Sequence, residues 1–179
     1  MDYPLVLDFW FLETKPEQWW KKDPAFDRTI ARRFGSLHAQ AIRGELFPWR
    51  QCPEGRLAEI IVLDQFSRNI YRDSPQAYAC DGMALVLAQE AVNSGEDLSL
   101  PPVQRSFLYI PYMHSESLLI HVEAVRLFEP LGIENNLDFE LRHKAIIERF
   151  GRYPHRNETL GRVSKSEELK FLAQPGSSF

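Results

Sequence analysis

Cysteine is nearly absent from this chain of 179 residues: only Cys52 and Cys80 occur, and no CxxC pair is present. That excludes a disulfide framework and a zinc ribbon, and predicts two reduced thiols in a reducing cytoplasm. No apolar run approaches the roughly 18 to 20 residues of a membrane span. The opening MDYPLVLDFWF is interrupted by Asp8 and has neither a basic start nor a cleavage site, so no signal peptide or anchor is expected. Low-complexity segments, internal repeats and linkers rich enough to divide two domains are also missing, and a single domain over 1–179 is expected, with 173–179 as a frayed tail. Basic residues number 21 against 25 acidic ones, a net charge of −4 that argues against general nucleic-acid binding. H-E-x-x-H, G-x-S-x-G, Walker and G-x-G-x-x-G patterns are absent, so neither cofactor nor metal is expected.

Helical periodicity dominates what is present. Leu57, Ile60 and Ile61 share a face with Asp64 and Arg68, while Leu63, Phe66 and Ile70 make a second apolar face over Arg56–Arg72. A helix apolar on two sides is a central one, and its stripe continues into four hydrogen-bonding side chains, Asp64, Gln65, Arg68 and Asn69. Pro4–Leu12 reads as a short helix. Asp23-Pro24 is an N-cap with proline at the first helical position, opening a helix to about Arg43 that Gly44 stops. Gly35 inside that helix predicts close approach of a neighbour. Further helices are predicted from Ser74-Pro75 to Asn93, from Pro101-Pro102 to a bend or end at Pro111, and after Ser115 with Leu118, Val122, Val125 and Phe128 inward. Two more cover Leu137–Phe150, with Phe139, His143 and Ile146 on one face, and Lys165 to about Ala173, behind an S-x-x-E capping box. The fold class is all-α: about eight helices as stacked antiparallel hairpins, a tetratricopeptide-like α-α superhelix, although the tetratricopeptide consensus is absent.

Three polar clusters could carry chemistry: the helical Asp64, Gln65, Arg68 and Asn69; His114 and Glu116; and the loop residues Arg152, His155, Arg156 and Asn157. From Arg142 to Lys165, seven Lys or Arg stand against Glu148 and Glu158, and arginine grips carboxylate or phosphate with two parallel bonds. Local structural roles account for each cluster equally well: an i,i+4 pair for Asp64 and Arg68, helix-dipole compensation for Glu116, a core position for His143. His38 and His121 give no signal.

VLDFWF at 6–11, WWKKDPAFDRTI at 19–30, VLDQFSRNIYR at 62–72, PYMHSE at 111–116 and FGRYPHRNETLGRVSKSEELKFL at 150–172 resemble the successive motifs of a bacterial family, the domain of unknown function 924 family. The resemblance implies an all-α fold related to tetratricopeptide-like superhelices, and no activity. That family usually has proline where Ser67 stands, which predicts a less kinked helix here.

A soluble helical binding module follows as the first expectation, with a His/Arg/Asn-lined pocket for a small anionic ligand or an acidic peptide, and no nucleic-acid or membrane partner. Its rivals are an enzyme of hydrolase or transferase type, pairing His114 or His155 with Glu116 or Asp64 beside Arg68 and Arg156, and a scaffold presenting Trp19, Trp20 and Trp49.

Overall fold

The computed structural model describes residues 2–177. Among them every regular element is helical: α1 Tyr3–Asp8, α2 Pro16–Trp19, α3 Pro24–Ile42, α4 Pro53–Ile61, α5 Ser67–Ile70, α6 Asp81–Asn93, α7 Pro102–Met113, α8 Leu118–Phe128, α9 Glu134–Phe150 and α10 Ser166–Leu172. No helix is long and apolar enough to cross a membrane.

The central position read for Arg56–Arg72 is what the molecule shows. α4 and α5 are one helix joined through a π-turn at Val62–Phe66. α1, α6 and α7 pack on α4, while α3 packs on the π-turn and α5. Leu57, Ile60, Ile61, Leu63 and Phe66 are fully buried, each contributing about 1.5–3 kcal/mol by its transfer from water. Around them Phe9, Trp10, Phe34 and Phe66 interlock at ring-centroid distances of 4.9–6.1 Å. A smaller cluster of Ile146, Ile147 and Tyr153 lies under Phe150 and Phe171.

Local signals placed several boundaries well. The Asp23 carboxylate accepts from the N–H groups of Ala25 and Phe26, and Gly44 ends α3 at φ +70°. Other expectations are corrected. A Cβ built on Gly35 would meet nothing within 4 Å, so close approach does not explain it; at Gly55 a Cβ would fall 2.1 Å from the Trp49 carbonyl oxygen, and α4 starts against that backbone. Pro111 stays inside α7, which runs two residues further before His114 caps it. α6 begins at Asp81, because Pro75–Tyr78 forms a separate 3-10 turn. In α8 the inward face holds His121, Ala124 and Phe128, whereas Leu118 and Val122 face outward; periodicity alone could not choose between a leucine-valine stripe and one that buries a paired histidine. In α9, likewise, Phe139 is exposed and Glu140 buried. The capping acid of α10 is Glu168 rather than Glu167: its Oε2 accepts the Lys165 N–H at 2.6 Å. Ser177 in the expected frayed tail is buried and its hydroxyl donates to the Leu172 carbonyl, while Ser178 and Phe179 lie outside the described residues.

The three tryptophans expected at the surface differ in exposure. Trp19 is half-buried with its indole N–H on the Trp10 carbonyl, Trp49 is half-buried, and Trp20 lies exposed but flat on Phe107, 5.7 Å between centroids.

Candidate functional site

Asp64 and Gln65 lie within the π-turn, where the backbone of the central helix widens by one residue. Turns of this kind are frequent at functional sites. The Asp64 carboxylate, 1% exposed, is fully engaged: Oδ2 accepts from Gln65 Nε2 at 2.6 Å, and Oδ1 accepts from Arg68 Nη1 at 3.2 Å and from His114 Nδ1 at 2.8 Å. Burial pushes this carboxyl up, but the Arg68 and His114 charges and hydrogen bonds outweigh it and hold the group well below the usual carboxylate range. An ionised carboxylate only accepts, so neutral His114 carries its proton on Nδ1 and its lone pair on Nε2. Burial, then Arg68, lowers the His114 pKa, against the pull of Asp64.

Arg68 turns from Asp64 to Asp81 at the start of α6, with Nη1 at 2.9 Å from Oδ1 and Nη2 at 3.0 Å from Oδ2. Asp81 in turn reaches Arg156 of the 151–165 loop, whose Nη1 lies 3.4 Å from Oδ2. HSE and PHRN segments therefore meet the central helix at one polar centre, linked in the order His114, Asp64, Arg68, Asp81, Arg156.

Arg156 is 6% exposed, and its guanidinium lies over two tyrosine rings, 4.7 Å from the Tyr78 centroid and 4.4 Å from that of Tyr153. Five N–H donors there serve one long bond; Nε is buried with no partner among the described residues. Burial, and Arg68 nearby, lower its pKa despite Asp81. Several other arginines are held by carboxylates, although Arg105 Nε is likewise buried with no partner among the described residues. Arg50 donates Nε and Nη2 to Glu59, Arg72 to Asp27 and Arg152 to Glu168, all at 2.6–2.8 Å.

His155 packs against Tyr153, ring centroids 5.5 Å apart, and burial followed by Arg156 holds it down to about 4. His143 packs edge-on to the same ring and burial takes it down to about 3. Tyr153 donates its hydroxyl to the Met113 carbonyl at 2.6 Å, and burial raises its phenol above the ordinary range. Behind it, the buried His121 ring has Nε2 2.9 Å from the Ser115 carbonyl oxygen and Nδ1 2.7 Å from Glu140 Oε1, and burial raises the Glu140 carboxyl.

The remaining candidates hold the loop rather than line the centre. Glu116 accepts from the Tyr153 N–H at 2.7 Å and from both Nη atoms of Arg162 at 2.7 and 2.9 Å. Asn157 is fully buried, taking Arg162 Nε on its carbonyl and giving Nδ2 to Ser164. Arg152 is bidentate on Glu168, and Asn69 turns away to Asp27 beside Arg72. Asp81 and Tyr78 join the centre unannounced, because an acid in a first helical turn reads as dipole compensation and a tyrosine carries no spacing signal, whereas Tyr153 lies within the loop cluster that the sequence marks. Two hollows elsewhere, about 300 Å³ beside Val92, Arg105 and Leu131 and about 330 Å³ beside Phe9, Thr14 and Arg33, contain no histidine.

Comparison with known proteins matches this arrangement to relatives of equally open function. A family model for a bacterial protein of unknown function, DUF924, matches residues 6–176. A solved structure of a protein of unknown function from Agrobacterium tumefaciens, ATU0120, is similar over 96% of each chain, at 37% sequence identity and a TM-score of 0.91. No curated protein matches. The chain belongs to the DUF924 family of bacterial proteins of unknown function.

Proposed function

We propose that this protein is a binding module that takes up a small anion, a carboxylate or phosphate group, at Arg156, with Arg68 and His114 beside it. The carboxylate end of an acidic peptide offers the same chemistry. One observation carries the reading: a nearly buried guanidinium, within 4.7 Å of two tyrosine ring centroids, makes one long hydrogen bond among the described residues and leaves its Nε buried without a partner. A buried donor without a partner costs about 1–3 kcal/mol, more when charged, and an in-plane anion removes that cost. Tetratricopeptide-like stacking belongs to this proposal, supported by α6, α7, α8 and α9 each packing on its successor. So does a cytoplasmic setting, which suits two unbridged cysteines.

Thermal unfolding with inorganic phosphate, succinate and a short acidic peptide tests it, in the wild type and in Arg156→Met. An anion at about a hundred times its Kd adds roughly 2.7 kcal/mol to the wild type and nothing to the variant. Equal shifts in both proteins, or none in the wild type, would sink the proposal.

A further inference from the structure

We infer that the polar centre hydrolyses phosphate monoesters, with His114 as the general base that activates water and Asp64 as the positioning residue that orients it; this rests on the anion-binding reading above.

The geometry separates two roles within a few side chains. Asp64 is buried and locked by Gln65 and Arg68, so the imidazole bonded to it has a fixed orientation and one available tautomer, with Nε2 as acceptor. His114 stands nearer the surface, its side chain 16% exposed against 1% for Asp64. An ionised carboxylate, a neutral imidazole and a reachable Nε2 make the arrangement that general-base catalysis needs. Among the described residues no serine, threonine or cysteine side chain bonds to this ring, so the proton it takes comes from water.

The substrate class follows from Arg156, which Asp64, Arg68 and Asp81 link to the base. Donors available to stabilise charge are guanidinium edges, which match phosphoryl oxygens that are anionic both before and during transfer. A neutral ester would leave Arg156 uncompensated in the bound state. In the step, the water oxygen bonds to phosphorus as its proton passes to His114 Nε2. The bond from phosphorus to the ester oxygen breaks on the far side, its electron pair staying on that oxygen, which takes a proton from solvent while the imidazolium releases its own to solvent. The products are the alcohol and inorganic phosphate.

The test follows p-nitrophenol release from p-nitrophenyl phosphate and from p-nitrophenyl acetate, with calorimetric binding of inorganic phosphate measured on the same preparations. His114→Gln is expected to lower kcat about 100-fold or more with KM little changed, and Asp64→Asn to lower kcat in the same sense. Added imidazole restores part of the rate to His114→Ala, which a merely structural histidine would not allow. Arg156→Met raises KM instead. Phosphate binding without turnover overturns the hydrolysis and leaves the binding reading standing; neither binding nor turnover removes both. Turnover unchanged in His114→Gln overturns the assignment of the base, and wild-type cleavage of the acetate as fast as the phosphate overturns the substrate class. Should Asp64→Asn not fold, His114→Gln carries the test alone.

Discussion

Replacing Arg156 by methionine keeps an unbranched side chain between Tyr78 and Tyr153 and removes the charge. The ligand-free protein should gain stability from it. Burying an ion costs several kcal/mol even after relaxation. Against that cost stand one hydrogen bond of 3.4 Å to Asp81 and two ring contacts, worth about 0.5–2 kcal/mol each. Methionine sulfur on the same rings returns roughly 0.3–1.5 kcal/mol. Asp81 is not orphaned, because Arg68 still donates to both its oxygens at 2.9 and 3.0 Å. The balance is about 1 kcal/mol in favour of the variant, or ~2–4 °C in Tm for a chain of this length. Urea unfolding followed by circular dichroism, with an unchanged m-value, measures it. Arg162→Met is the control: it strips Glu116, Asn157 and the Tyr153 carbonyl of their partner, and should lose about 2 kcal/mol or more. A loss of that size in Arg156→Met would show that the guanidinium holds the fold, and the argument for a ligand would fall with it.

Other expected outcomes are as direct. Gly55→Ala should lose about 1–3 kcal/mol, since the new methyl meets the Trp49 carbonyl, whereas Gly35→Ala should gain up to about 1 kcal/mol; equal effects in urea unfolding would refute the close-approach account. Ser67→Ala removes the hydroxyl that accepts from His38 Nε2 at 2.7 Å and should cost about 1–3 kcal/mol, with a loss too small to resolve counting against that role. Burial lowers His143 and His155 to about 3 and about 4, so the unfolded chain, with histidines near 6.5, binds more protons below that pH. Their contribution is complete above about pH 6.5 and is lost as pH falls through the folded values, each adding up to about 1.4 kcal/mol per pH unit to the slope. Equal urea midpoints at pH 7 and pH 5 would contradict it.

Most of the helical frame was legible because its signals are local. Asp23-Pro24 and Gly44 mark the ends of α3 by chemistry acting within a single turn, and the two-sided apolar pattern of Leu57 to Phe66 identified the central helix. Failures occurred where a partner lay far along the chain. His121 looked inert until Glu140, on the next helix, drew it inward and displaced Leu118 and Val122 to the surface. Glu116 and Asn157 stand out in the sequence as candidate ligand-binding groups, and the structure pairs them with Arg162 and Ser164 in fixing a loop. Asp81 could be found only through its contact with Arg68, a relation between two helices that no spacing rule encodes.

The π-turn at Val62–Phe66 makes the polar centre depend on a count as well as on side-chain identity. Were these five residues wound as regular α-helix with none removed, everything after them would turn by nearly 100°. Arg68 would then face away from Asp81 although both residues remained. A chain can thus keep every chemical group of this centre and still lose the assembly by winding one turn differently.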